Sequence, residues 1–273
     1  MRFRVVQSKQ NARLKELRRA LAHPGRDARG LAGIEGPKLL DEAQRAGLRV
    51  ACVFVAQEAE HLLDGLQLPP ETEILLLPRE LLDSALATET PQPMAALVEP
   101  PSWDWADVFG NRTKAAPLLI VLAGLQDPGN VGTILRSAEA FGAAGVVSLS
   151  GTVSAWNPKA VRASAGSVFR LPLLTVEAED CFARLRAEGV KIFSTAVEGA
   201  EAANRIDLAG PVALMIGNEG NGVPPELAAE ADGAVTIPCP GPVESLNAAI
   251  AASVLLYEAS RQRANHKPKR SAQ

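Results

Sequence analysis

Cysteine is scarce in this chain of 273 residues: Cys52, Cys181 and Cys239 stand far apart and odd in number. They form no metal-binding or redox spacing. Histidine is equally scarce, and His23, His61 and His266 all lie outside the glycine-rich loops. A zinc site or a histidine-based triad is therefore not expected, and no metal is. No apolar run approaches the roughly 20 residues needed to span a bilayer, so no membrane partner is expected. Met1-Arg-Phe-Arg lacks the apolar core of a signal peptide, and a cytoplasmic address is expected. Two nucleotide fingerprints are missing as well. The order G-x-x-x-x-G-K-S/T does not occur, and no G-x-G-x-x-G follows the first strand of a βαβ unit, so neither a nucleotide hydrolase nor an NAD enzyme is supported. There are no repeats and no low-complexity segments.

What is present is the composition of a soluble globular protein, 47% hydrophobic and 22% charged. The length allows two domains. Net charge is −3, but it is unevenly spread. Residues 1–30 carry nine basic side chains against Glu16 and Asp27, and Arg261, Arg263, Lys267, Lys269 and Arg270 crowd the far end. Both ends can meet phosphate, or can simply be solvated.

Read in order, Ser8 can cap a helix carrying Leu14, Leu17 and Leu21 on one face, with His23-Pro24-Gly25 ending it. Strands are expected at Leu31–Ile34, Val50–Val55, Ile74–Leu77 and Ala95–Val98. Helices are expected after Gly36-Pro37, over Gln57–Leu66 and over Pro78–Leu86. This alternation predicts a small α/β/α domain over residues 1–100. Residues 101–117 read as a linker, interrupted by Trp103 and Trp105, which either pack onto a domain or stack on nucleic acid. A second α/β domain is expected over 118–265, with a basic tail at 266–273. Its strands are Leu118–Ala123, Val146–Leu149, Lys191–Ala196, Val212–Ile216 and Val235–Ile237. Asp127-Pro128-Gly129 reads as a turn into a helix that Gly142 ends. Asn157 caps another helix, bearing Lys159 and Arg162, and Val176–Glu188 is a third.

Two loops at strand ends stand out. Gly217-Asn218-Glu219-Gly220-Asn221-Gly222 has three glycines in six residues, so the chain turns tightly or something approaches it closely. Ile237 leads into Pro238, Cys239, Pro240, Gly241 and Pro242, after which Ser245 or Glu244 opens a helix to about Arg261. Ligands bind at the carboxyl ends of strands in open α/β sheets. Upstream, Asn130 lies on a loop and Arg136 about one turn into the helix that follows. Arg136 sits in the otherwise uncharged segment 131–138 and needs a partner, either a carboxylate such as Glu219 or a substrate phosphate. Ser245 either caps the last helix or, with Asn247, faces the cleft.

Three stretches in this order carry a resemblance: Asp127-Pro-Gly-Asn-Val-Gly-Thr-Ile-Leu-Arg136, then Ile216-Gly-Asn-Glu-Gly220, then Ile237-Pro238 with Glu244-Ser-Leu-Asn247. They resemble the ordered motifs of the SpoU (TrmH) family of RNA ribose 2′-O-methyltransferases, of the SPOUT class. Asn157–Gly166 resembles the same family. Ile34-Glu-Gly36 resembles the ribosomal-protein-like substrate-binding domain that many members carry. The resemblance implies a trefoil-knotted catalytic domain, an exception to the rule against threaded chains. It also implies S-adenosylmethionine bent against the backbone at Gly217, Ile237 and Leu246, with Asn218 and Gly220 alongside, and a homodimer with the last helix in its interface. Asn130, Arg136, Glu219, Ser245 and Asn247 become the catalytic set. RNA contacts fall to Arg13, Lys15, Arg18, Lys159 and Arg162.

The residue types suit the chemistry. A ribose 2′-OH is a poor nucleophile, and the enzyme must orient in-line attack and remove one proton. A guanidinium, with its pKa above 12, is a poor free base. The easier route has Arg136 hold a phosphate beside the target ribose, with Glu219 orienting Arg136 or its loop. Ribosomal RNA is favoured because a separate domain with a basic first helix suits a large folded substrate. A transfer-RNA enzyme and a catalytically silent RNA-binding or ribosome-assembly factor on the same fold are the alternatives.

Overall fold

The computed structural model describes residues 2–22, 30–86, 88–110, 116–243 and 245–266. The expected helix stop at residues 23–25, Glu244 and the basic tail beyond residue 266 lie outside them. In chain order the first elements are β1 (Arg2–Val5), α1 (Ala12–Ala22), β2 (Ala32–Glu35), α2 (Pro37–Arg45), β3 (Val50–Ala56), β4 (Glu73–Leu77), α3 (Arg79–Asp83) and β5 (Met94–Val98). Then come α4 (Trp105–Gly110), β6 (Leu118–Ala123), α5 (Pro128–Ala140), β7 (Gly145–Leu149), α6 (Pro158–Ser164), β8 (Leu173–Val176) and α7 (Ala178–Ala187). The last are β9 (Lys191–Thr195), β10 (Glu201–Ala202), β11 (Val212–Gly217), α8 (Pro225–Ala228), β12 (Gly233–Thr236) and α9 (Ala248–His266).

The chain forms two compact units. One takes Met1–Ser102 with Ser154–Arg170, the other Trp103–Val153 with Leu171–Gln273. The first unit is built on a five-stranded sheet in the order β1-β4-β3-β5-β2. β1, β4 and β3 run parallel, and β5 runs antiparallel to β3 and β2. Leu14, Leu17 and Leu21 form the buried face of α1, as their spacing predicts. The cap is Asn11 rather than Ser8: Asn11 Oδ1 accepts from the N–H groups of Arg13 and Leu14 at 3.0 and 3.2 Å. Asn11 immediately precedes the helix, whereas Ser8 closes a turn of its own on Gln10. Residues 154–170 group with this unit, not with the 118–265 domain in which they were expected. Arg170 Nη1 meets Glu42 Oε2 at 2.6 Å. Gly166 makes the fit possible: its φ is +89°, and a Cβ there would lie 2.9 Å from the Glu42 Cβ.

The second unit holds a seven-stranded, wholly parallel sheet in the order β10-β12-β9-β11-β6-β7-β8. β6, β7 and β11 are buried along their whole length, which is why they read as unbroken apolar runs. Leu119, Val121, Val147, Phe182, Leu185 and Met215 are among the core. The expected linker is partly structured. α4 buries Val108 and Phe109 in this core, and Trp103 and Trp105 pack against it. Trp105 stacks on Phe109 at 5.7 Å. The tryptophans therefore do the first of the two jobs left open to them.

Other differences are local. Gln57–Leu63 is a 3-10 turn, and Val176 ends β8 instead of starting a helix. β1, β8 and β10 are 4, 4 and 2 residues long, too short for a repeat of apolar residues to declare them. The last helix starts at Ala248 and runs to His266, past the expected stop at Arg261. Residues 261–266 hold no glycine or proline, so nothing breaks the helix there, and Arg261 pairs with Glu258 one turn earlier at 2.7 Å.

Candidate active site

β11 leads to the site. It pairs with β9 on one side and β6 on the other, and ends at Gly217. A Cβ at Gly217 would sit 2.0 Å from the Gly222 carbonyl carbon and 2.1 Å from the Val223 nitrogen. The close approach that the three glycines imply is made by the chain's own backbone. The loop closes on itself through Asn218 N–H to Gly222 C=O at 2.8 Å and Gly222 N–H to Asn218 C=O at 2.9 Å. The Asn218 side chain locks this turn in place: Nδ2 donates to the Gly124 carbonyl at 3.0 Å, and Oδ1 accepts from Gly220 N–H at 2.9 Å.

Glu219 leaves the loop toward α5. Its Oε2 accepts from Gln126 N–H at 3.2 Å, and its Oε1 from Asp127 N–H at 3.1 Å and from Asn130 Nδ2 at 2.9 Å. Burial works to raise this carboxyl, but the bonds from Asn130 and from backbone N–H groups outweigh it and hold the group below its ordinary 4.5. Asn130 Oδ1 in turn accepts from Asn247 Nδ2 at 3.0 Å. Asn247 Oδ1 accepts from Ala249 and Ile250 N–H at 2.9 and 3.3 Å, so Asn247 caps α9. A carboxylate, two amides and a helix N-terminus thus form one connected line.

This network corrects three expectations. Asn130 is not on a loop: Asp127 caps α5 by accepting from Gly129 N–H at 2.7 Å, Pro128 takes the first position, and Asn130 lies in the first turn. The last helix is opened by Asn247, not Ser245: Asn247 Oδ1 takes the first free N–H groups, while Ser245 and Leu246 lie before the helix in the cavity wall. Glu219 is not the partner of Arg136, since the backbone and Asn130 use both its oxygens.

The cavity has a volume of about 670 Å³, inside the range of roughly 300–1,000 Å³ usual for small-ligand sites. It opens at the carboxyl ends of β9, β11 and β12 and is closed by the start of α9. Gly217, Asn218, Glu219, Gly220, Ile237, Ser245 and Leu246 all line it. Asn130 and Asn247 join it through Glu219. Arg136 does not line it: the side chain is exposed on α5, without a partner among the described residues. A third wall, Thr195-Ala196-Val197, escaped the sequence reading, as did Thr236. The signal was there in Thr195, a polar residue at the carboxyl end of an apolar strand.

The expected RNA-binding cations divide. Arg13 bonds Glu73 through Nε and Glu16 through Nη1, both at 2.8 Å. Arg18 reaches Ser84 Oγ at 3.0 Å and the carbonyls of Ser84 and Lys9 at 3.3 Å. Both therefore hold the first unit together. Lys15 is half-buried, and Lys159 and Arg162 are exposed. Arg263, counted above among the terminal cations, is also structural. It donates to the carbonyls of Leu208, Ala116, Pro117 and Gly210, and burial lowers its pKa from the ordinary value. Among the described residues no cluster of His, Cys, Asp or Glu is placed to hold a metal ion. Among the same residues, no helix is long and apolar enough to cross a membrane.

Known proteins share this arrangement. Residues 117–257 match the SpoU rRNA Methylase family, and residues 11–96 match the MRM3-like substrate binding domain. The chain is 31% identical over 255 residues to the 23S rRNA (guanosine(2553)-2′-O)-methyltransferase RlmP of Bacillus subtilis, covering 93% of this chain and 98% of that one. The SpoU methyltransferase AviRb from Streptomyces viridochromogenes, solved with AdoMet, superposes with a TM-score of 0.81 at 30% identity, over 94% of this chain and 100% of that one. An AdoMet-bound rRNA methyltransferase from Sinorhizobium meliloti gives 0.81 at 29% identity, over 95% and 98%. With residues 117–257 and 11–96 both matched and a relative 31% identical over nearly the whole length, the chain belongs to the SpoU rRNA methylase family.

Proposed function

We propose that this protein methylates a ribose 2′-hydroxyl in structured RNA, with ribosomal RNA as substrate and S-adenosylmethionine as methyl donor. The observation that carries the reading is the cavity at the ends of β9, β11 and β12, tied through Glu219 to Asn130 and Asn247. The names and bound cofactors of the relatives agree with it.

The residues present fit that cofactor. The cavity is large enough, and its wall offers hydroxyls at Thr236 and Ser245 beside loop backbone at Ile237 and Leu246. Glu219, the one carboxylate of the wall among the described residues, already has its hydrogen bonds. When bound, the cofactor supplies a methyl group already activated on its sulfonium. What remains for the chain is to hold the ribose in line and take up one proton. Glu219 orients Asn130, Asn130 orients Asn247, and Ser245 faces the cavity as a hydrogen-bonding group.

Arg136 grips an RNA phosphate beside the target ribose and activates the hydroxyl through it. Its position on the outside of α5 supports a homodimer in which it serves a site completed by a second copy. Ile250, Val254 and Tyr257 form an exposed apolar stripe on α9, with Phe141, the residue that follows α5, edge-on to Tyr257 at 5.9 Å. This is the face we assign to the dimer. A trefoil knot is supported by strand order: β11 enters between β9 and β6 after both are laid down, and α9 returns against α5. Residues 1–100 are the substrate-binding domain and 118–265 the methyltransferase domain. The protein works in the cytoplasm, where ribosomal RNA is.

The test is transfer of labelled methyl to 23S ribosomal RNA, with the product mapped by resistance of the ribose to alkaline cleavage. One 2′-O-methylated position is expected. Arg136→Ala should abolish transfer and leave cofactor affinity unchanged; full transfer by that variant would sink the role given to Arg136.

A further inference from the structure

At the open edge of the first unit, β1 carries side chains that the fold does not use. Phe3 is 49% exposed and Val5 55%, although the residues they pair with on β4, Ile74 and Leu76, are 0% and 8% exposed. Strand alternation puts Phe3 and Val5 on one face of the sheet. Arg4, on the other face of the same edge, has 70% of its side chain exposed and comes no closer than 4.0 Å to Glu73, whose other oxygen Arg13 holds at 2.8 Å. The chain continues through Gln7, Ser8, Lys9 and Gln10, all exposed.

We infer that this edge is an RNA-docking surface, with Phe3 stacking on an unpaired base and Arg4 and Lys9 meeting the adjoining phosphates. The inference rests on the RNA-methyltransferase reading and specifies where the substrate is held. Charge decides the occupant. The nearby carboxylates, Glu16 and Glu73, are held at 2.8 Å by Arg13, so Arg4 shares Glu73 only at 4.0 Å, and Lys9 and Arg19 have no ion pair among the described residues. A half-exposed aromatic ring beside exposed, weakly paired cations suits a base and its phosphates. The same charges work against pairing with another protein strand. This surface also replaces contacts expected of Arg13 and Arg18, which are engaged within the unit.

The test uses the full chain and a ribosomal RNA fragment containing the methylated position. Phe3→Ala should raise KM for RNA about tenfold, with kcat and cofactor affinity unchanged. Phe3→Trp should restore the wild-type KM, whereas Phe3→Leu, apolar but unable to stack, should not. Arg4→Ala should weaken binding to all RNAs and lower the slope of log affinity against log salt by about one. Wild-type KM in Phe3→Ala or Phe3→Leu overturns the proposal. So does a change in oligomeric mass at unaltered RNA affinity, which would assign the face to protein. If the wild-type chain methylates no RNA, it is the methyltransferase reading that fails. Filter binding of RNA to wild type and Phe3→Ala then tests the surface by itself.

Discussion

Both oxygens of Glu219 are occupied before any substrate arrives, and this makes its role structural. Held below its ordinary 4.5, it is a weak base and stays ionised at neutral pH. A carboxyl whose pKa falls on folding stabilises the fold fully above its unfolded value, and that contribution fades as pH falls through the folded one. In acid titrations followed by circular dichroism, the stability gap between wild type and Glu219→Gln should therefore be constant at neutral pH and close below about 4.5. Asn130→Ala removes one bond to Glu219 and one to Asn247. It should lower cofactor affinity about tenfold by calorimetry, as a loss on the order of 1–3 kcal/mol would. Cysteine reactivity gives a separate check on the cavity. Cys52 and Cys181 are buried, which raises both thiols, Cys181 to about 12, whereas Cys239 is half-buried in the cavity wall. An alkylating reagent should label Cys239 alone in the native protein, and S-adenosylmethionine should slow that labelling.

At the scale of elements, α9 joins three tasks in one helix. Its first residue follows Asn247, which belongs to the network of the site. Its middle packs on α5, where Ser137 and Ser253 share a hydrogen bond of 2.7 Å between hydroxyls. Its end is fastened by Arg263 to backbone at the starts of β6 and β11. Arg263→Met should cost about 3 kcal/mol in denaturant unfolding, because it strands several carbonyl acceptors at once. The outer face of α9 is separable from these tasks. For the dimer proposed above, Ile250→Glu with Tyr257→Glu should halve the mass measured by light scattering while leaving the unfolding midpoint of the monomer nearly unchanged.

At the scale of the whole molecule, the hydrogen-bond network of Glu219, Asn130 and Asn247 is assembled by strand order. β11 brings Glu219 beside the loop that follows β6, and only then can Asn130 and Asn247 meet across it. Gly217 is the tightest point of that assembly. Gly217→Ala places a methyl group 2.0 Å from backbone, so the 218–222 loop must open. Loss of cofactor binding in a variant whose circular dichroism stays native would confirm that the loop, and not the sheet, carries the defect.

The sequence by itself determined much of this protein. The apolar runs of β3, β6, β7 and β11 announced buried strands, because a strand covered on both faces has no polar side to show. The glycines and prolines after β11 and β12 marked the loops of the cavity, since few other residues turn so tightly. Gly217, Asn218, Glu219, Gly220, Ile237, Ser245 and Leu246 of those loops line it. Partnership was decided only by the tertiary structure. Arg136 and Glu219 are opposite charges in neighbouring motifs, yet Glu219 turns to backbone N–H groups that appear only when β6 and β11 lie side by side. Arg13, Arg18 and Arg263 looked like free cations because a sequence counts charge but not the carboxylates, hydroxyls and carbonyls that folding brings within hydrogen-bonding distance. The exposure of Phe3 was hidden for the same reason: an aromatic residue reads as core until the sheet has an edge, and pairing alone decides which strand that is.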